Sequence, residues 1–304
     1  MLPEEFHAPP LPFSLDQLQE RTEPRNILLC TPDYFDVLDE KNIHMQGRKG
    51  TVDKKRAMHQ WQQLRQIYDD LAIDGILDTV SVLDGAPDCE DMVFCANQCL
   101  PWQTQSGDRL VVMSNMRHAS RQKEVSFFQD FFGASGFKPL GFSGYITFEG
   151  MGDVIPHPGK YLLYGGYGYR TAMAAYYELP ELLGVPVVRL KLINPRFYHL
   201  DTCFLPIDSK SVMICKEAFS NDGLKIIRQL FEQVYLVPEE DAASSFCLNA
   251  HLIDLDNRKV AIIQPGSSYC NGILREHGFE IIEADTSEFM KSGGSVFCMK
   301  MMYP

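Results

Sequence analysis

The 304-residue chain has no apolar run long enough to cross a bilayer and no long run of basic residues. The first absence excludes a helical membrane span. The second, with a formal net charge of −12, argues against nucleic acid and anionic membrane as partners. The opening residues, Met1-Leu2-Pro3-Glu4-Glu5-Phe6, lack the basic region and apolar core of a secretory signal. Nine cysteines, an odd number, follow no regular spacing. Cys89, Cys95 and Cys99 have no distant pair to complete a metal pattern, and no histidine stands at ligand spacing. They read as reduced thiols of a cytoplasmic protein without metal or cofactor. Gly165-Gly166-Tyr167-Gly168 lacks the spacing of a dinucleotide-binding turn.

What is present is ordinary globular composition, 45% hydrophobic and 22% charged, in a length that allows one large or two small domains. Residues 1–25, rich in proline and charge, read as an irregular arm. No boundary interrupts residues 26–304, which read as a single domain. The pattern predicts strands at 27–30, 76–82, 91–94, 109–113, 137–141, 147–148, 161–164, 187–192, 203–205, 211–215, 233–236, 246–253, 259–263, 280–282 and 295–299. It predicts helices at 53–71, 120–132, 171–183, 222–232 and 271–277. Two strands, a helix and a strand thus recur about five times, with the first copy incomplete. Such a repeat suggests an α/β array closed radially rather than a Rossmann sheet.

The end of the chain, Lys291-Ser292-Gly293-Gly294-Ser295-Val296-Phe297-Cys298, joins two glycines to a short β-prone run and one cysteine. Alone, Cys298 reads as a small buried hydrophobe. Upstream stand Phe148-Glu149-Gly150 and Tyr198-His199-Leu200-Asp201. A thiol, an imidazole and a carboxylate on separate segments are the parts of a nucleophilic site. In an extended segment Asp201, two positions after His199, faces the same side.

Five stretches resemble the guanidine-modifying enzymes, in the order that superfamily has them. They are Pro87 to Asn97 (PDCEDMVFCAN), Phe148 to Asp153 (FEGMGD), Gly166 to Arg170 (GYGYR), Phe197 to Phe204 (FYHLDTCF) and Gly293 to Cys298 (GGSVFC). The resemblance runs from about Asn26 to the C-terminus and covers arginine deiminases, dimethylargininases, amidinotransferases and arginine dihydrolases. It implies the pentein fold, a five-bladed α/β-propeller of ββαβ modules, in agreement with the repeat. It also implies a cytoplasmic, cofactor-free C–N hydrolase of arginine or an arginine-like substrate, with Cys298 as nucleophile, His199 as general acid and base, and Glu149 orienting the histidine. Asp91, Asn97 and Asp201 would hold the guanidinium, Arg117 and Arg170 the substrate carboxylate, and Asn42 a further contact from the first loop. The family's usual Pro-Trp after that asparagine is replaced here by Ile43-His44.

Two letters discriminate among the relatives. Asp201 is characteristic of members that act on an unmethylated guanidinium. Asn97 stands where deiminases usually carry aspartate, and arginine dihydrolases have asparagine there. The implied reaction is therefore arginine to ornithine, ammonia and carbon dioxide. A deiminase or dimethylargininase giving citrulline is the near alternative. An amidinotransferase and a non-catalytic binding pentein are the remaining ones, and a homo-oligomer is compatible with the sequence.

Overall fold

The computed structural model describes residues 11, 13–255 and 258–304, so part of the expected arm, 1–10 and 12, lies outside the described residues. The part that is described makes one short turn, Leu15–Gln17, behind Ser14. Leu11, Phe13, Leu15 and Leu18 of this segment lie against the main core.

Fifteen strands form five three-stranded sheets among the described residues. Strand β1 (Asn26–Cys30) leads to helix α1 (Lys54–Ile73) and strand β2 (Thr79–Leu83). The second unit is β3 (Cys99–Gln103), β4 (Arg109–Met113), α2 (Ala119–Gln122), α3 (Val125–Ala134) and β5 (Lys138–Leu140). After α4 (Gly150–Asp153) come β6 (Val154–Pro156), β7 (Leu163–Tyr167), α5 (Ala175–Leu183) and β8 (Val187–Lys191). The fourth unit is β9 (Phe204–Pro206), β10 (Ser211–Ile214), α6 (Asn221–Leu230) and β11 (Gln233–Leu236). After α7 (Glu239–Ser245) come β12 (His251–Leu255), β13 (Arg258–Ile263), α8 (Ser268–Glu276), β14 (Glu280–Glu283) and finally β15 (Lys300–Tyr303).

Each sheet has the same plan. Its middle strand pairs antiparallel with one neighbour and parallel with the strand that follows the helix. The first unit lacks an antiparallel strand of its own, and β15 supplies it from the far end of the chain, pairing Asn26 with Tyr303 and Leu29 with Lys300. The incomplete first copy of the repeat is thus completed by the C-terminus.

Local chemistry explains the elements. The middle strands are buried apolar runs, as at Val111-Val112-Met113 and Val260-Ala261-Ile262-Ile263, because both of their faces are covered. Helix α1 starts where the Asp53 carboxylate accepts the Lys55 and Arg56 N–H groups. It buries Ala57, Trp61, Leu64, Tyr68 and Leu71 along one side.

Four expected strands are corrected. Residues 91–94 are turns, and β3 takes the expected place eight residues later. Phe148 makes only an isolated bridge to Asn115, and β6 forms instead. Phe246 has φ of 50°, so β12 begins at His251. Residues 295–299 are a turn closed by the Met299 N–H on the Ser295 carbonyl, and the strand starts at Lys300. All four stretches are buried and apolar, which gives a buried loop the same pattern as a buried strand. Helix 120–132 is also divided into α2 and α3, and α7 answers no expectation.

Candidate active site

Glu149 precedes Gly150, whose φ of 52° and whose approach to the Cys99 carbonyl, 2.4 Å from an ideal Cβ, leave no room for a side chain. The Glu149 side chain is fully buried. Its Oε2 accepts from Arg170 Nη1 at 3.0 Å and from His199 Nε2 at 2.8 Å, while Oε1 accepts the Arg117 backbone N–H at 3.0 Å. Burial alone would raise this carboxyl, but Arg170 and His199 outweigh it and hold it well below the ordinary range. A carboxylate only accepts, so the His199 proton that faces it is on Nε2. Nδ1 is then the free nitrogen, and it lies 3.3 Å from the point where a Cβ on Gly152 would sit. The Asn97 Nδ2 is 2.1 Å from that same point, so Gly152 is what allows amide and imidazole to approach each other.

His199 and Asp201 do not lie on an extended segment. Leu200–Thr202 is a single 3-10 turn with His199 at its start. The turn sends His199 to Glu149 and Asp201 to the cysteine, whose Sγ donates to Asp201 Oδ2 at 3.1 Å. The Asp153 carboxylate fixes the turn by accepting the Leu200 and Thr171 N–H groups at 3.1 and 3.2 Å. Cys298 is 3% exposed. Burial and the adjoining Asp201 push its thiol well above the usual value. Asp201 is itself pushed up to about 7 by burial, against the hydrogen bonds from Cys298 and Asn249.

One pocket collects Asn42, Asp91, Asn97, Arg170 and Cys298 in its wall. Asp91 accepts from Ser292 Oγ at 2.8 Å and meets the buried Lys41 ammonium at 3.1 Å. Lys41 is also bound to Asp39 and, at 2.8 Å, to Glu90. Asn42 caps the turn Ile43–Met45 through the His44 N–H and donates to the Ser292 carbonyl at 3.0 Å, tying the first loop to the cysteine loop. Asn97 receives Arg121 Nη1 on its Oδ1 at 2.9 Å, which leaves its buried Nδ2 without a partner. The buried Asp201 Oδ1 has none either. An amide donor and a carboxylate oxygen, both unsatisfied near a thiol, suit a ligand carrying both N–H groups and a reacting carbon.

Arg117 departs from expectation. Its side chain is exposed, and only its backbone N–H reaches the site. Arg170 does reach it, but engaged with Glu149 and the Lys41 carbonyl, above the Tyr198 ring at 4.6 Å. Sequence reasoning missed three residues. Asn249 donates to Cys298 Sγ at 3.1 Å while its Oδ1 accepts the Ser295 and Cys298 N–H groups at 3.1 and 3.2 Å. Arg121 is buried against Asn97, Glu124 and two carbonyls. Lys41 occupies Asp91. Arg121 stands four positions after Arg117, and no local signal distinguishes the pocket arginine from the exposed one.

A family model described as N,N dimethylarginine dimethylhydrolase, eukaryotic, matches residues 32–303. The bifunctional arginine dihydrolase/ornithine cyclodeaminase AgrE of Nostoc sp. is 32% identical over 276 residues, 90% of this chain and 37% of that protein. This chain likewise spans 37% of ArgZ, the corresponding bifunctional protein of Synechocystis sp.. The N(G),N(G)-dimethylarginine dimethylaminohydrolase of Mycobacterium tuberculosis is 32% identical over 274 residues, covering 90% of this chain and 84% of that one. Among solved structures, the substrate-bound N-terminal domain of ArgZ superposes with a TM-score of 0.83 at 31% identity, covering 91% of this chain and 97% of that domain. The same domain has been solved covalently bonded to a reaction intermediate.

Proposed function

The chain belongs to the dimethylarginine dimethylhydrolase family of guanidine-modifying enzymes, and from that premise we propose that it is an arginine dihydrolase. The observation that carries the choice is Asn97, whose NH2 group is unpartnered beside His199 in the pocket of Cys298. The five sheets are the blades of a pentein propeller, and the site sits where their leading loops converge. The Cys298 Sγ attacks the guanidinium carbon. Asp91 and Asp201 hold the guanidinium nitrogens, and Arg170 with Asn42 receives the amino-acid end. His199 takes up the thiol proton on Nδ1 as an imidazolium supported by Glu149, gives it to the departing ammonia, and then takes a proton from the water that resolves the adduct to citrulline. Aspartate at position 97 would face the citrulline oxygen with charge; the Asn97 N–H donates to it instead. A second attack then expels the second ammonia, and water releases carbon dioxide and ornithine. Two waters are consumed for two ammonia and one carbon dioxide.

The exposed Arg117 carries no part in this reading as it stands. The protein is cytoplasmic in the same reading, and no described helix is long and apolar enough to cross a membrane. A dimethylargininase is the second reading, favoured by the matching family model and the mycobacterial relative. Incubation with arginine and with dimethylarginine, followed by mass, decides. Ornithine from arginine without citrulline accumulating supports the dihydrolase. Citrulline as the end product, or turnover confined to dimethylarginine, replaces it with the second reading. Unchanged turnover in Cys298→Ala would remove the catalytic reading altogether.

A further inference from the structure

A second cavity, of about 150 Å³, meets the site at Asp201. Its walls are mainly apolar, with Ile155, Phe204, Leu248 and Phe297 among them, and Lys300 lies in them as well. Lys300 follows Cys298 by two residues and is locked in β15, opposite Leu29 of β1. Only 1% of it is exposed. Its ammonium lies 3.5 Å from the centre of the Phe297 ring and makes no ion pair with any described residue. A buried cation without an adjoining anion is costly, and the cost falls if a negative charge forms nearby.

Such a charge has a place to form. Asp201 lines the same cavity and accepts from the Cys298 thiol. We propose that Lys300 is the buried counter-charge of the Cys298–Asp201 pair, favouring the thiolate from the side away from the substrate pocket. It touches no reacting atom and is a positioning residue that acts through the field it creates. The inference rests on Cys298 being the nucleophile.

The surrounding groups allow this role. Burial brings the Lys300 ammonium down to about 7, against the acidic groups Cys95, Asp201, Cys298 and Glu23, which act to raise it. His251 faces the cavity from β12, and burial together with Lys300 holds it neutral, so it does not compete as a cation. Arg21, Arg25 and Asp254 stand in the wall with Glu23. A positive charge favours the deprotonated forms of Cys298 and Asp201, so its removal raises both.

The test is the pH profile of Cys298 alkylation by iodoacetamide in the unliganded protein, read by mass on the peptide that contains it. Below pH 7, where Lys300 carries its charge, alkylation of Lys300→Met should be about tenfold slower than in the unaltered protein, and the gap should close as the pH rises past about 7. Lys300→Arg, charged throughout, should keep the original rate at about pH 6. The melting temperature of Lys300→Met should hold or rise, since an apolar chain replaces a buried charge. A coincident profile in Lys300→Met overturns the proposal, whatever happens to the melting temperature. Should that variant not fold, lysine side-chain NMR decides: the Lys300 midpoint must fall in Asp201→Asn, and an unmoved midpoint is equally fatal. Alkylation needs no guanidino substrate. A protein that leaves arginine untouched can therefore retain this inference while losing the proposed activity, and the reverse outcome is equally visible.

Discussion

Asp201 opposes Cys298 in the resting protein. It takes the thiol proton into a hydrogen bond at 3.1 Å, and its charge adds to burial in holding the thiol well above its ordinary value. A guanidinium reverses that balance, because it brings the positive charge that an unliganded thiolate lacks. The sign leads to a test. Below a raised midpoint the thiolate fraction grows tenfold per pH unit, so alkylation of the free protein should climb steadily from pH 7 to 9. Asp201→Asn removes the opposing charge and should speed alkylation at pH 8 by about tenfold. The same substitution should lower arginine turnover by at least about a hundredfold, because the carboxylate proposed to hold the guanidinium is gone. Slower alkylation, or undiminished turnover, would contradict the assigned role. Arg121 acts on the neighbouring residue. A guanidinium has no acceptor, so it fixes the Asn97 amide with oxygen toward itself and NH2 toward His199. Arg121→Met leaves Glu124 and the Asn97 Oδ1 buried with reduced partners. It should cost about 3–5 kcal/mol, measured by denaturant titration. A loss below about 1 kcal/mol would show that the buried ion pair is not what holds this corner.

The elements that carry the chemistry are the segments leading into the first strand of each sheet. Asp91 and Asn97 precede β3, Glu149 and Asp153 precede β6, His199 and Asp201 precede β9, Asn249 precedes β12, and Cys298 precedes β15. Four of these five segments, all but the one before β9, are also where strands were wrongly expected. A loop buried in the interior needs apolar side chains as a strand does, so periodicity cannot separate them. What separates them is the destination of their backbone polar groups, which go to side chains: Arg121 takes the Asp91 and Phe94 carbonyls, and Asn249 takes the Ser295 and Cys298 amides. That information is long-range and is not visible in local spacing. The motif residues themselves were legible, because a family match fixes letters without needing their backbone geometry. Arg117 shows the limit, since a match of letters did not reveal that its side chain faces solvent. Asn249→Ala tests the element. It frees two amides, a carbonyl and the thiol at once, which should cost about 2–4 kcal/mol and reduce product formation at least about a hundredfold. Full activity with a changed melting temperature would make Asn249 a structural residue only.

At the scale of the whole molecule, the first and last strands among the described residues share one sheet. The repeat and a radially closed array were expected from the sequence, but the pairing of the last strand with the first was not, since distant strands carry no signal of each other in local pattern. β15 pairs with β1 along four residues. Tyr303 lies edge-on to Phe131, Phe132 and Phe137, and Arg109 donates to the Pro304 carbonyl at 2.8 Å. Met301 and Tyr303 are buried. Burying two such side chains stabilises by roughly 1.5–3 kcal/mol each. The ring contacts add about 0.5–1.5 kcal/mol apiece. The total approaches the roughly 5–15 kcal/mol net stability of a typical protein. Removing residues 300–304 should therefore do more than fray an end. It exposes the edge of β1, opens the aromatic cluster and releases the anchor immediately after Cys298. The shortened chain should lose its cooperative melt by circular dichroism or unfold at least about 15 °C lower. A truncated protein melting within a few degrees of the full chain would show that the first sheet stands without its C-terminal strand, and that the cysteine loop is held by Asn249 and the glycines alone.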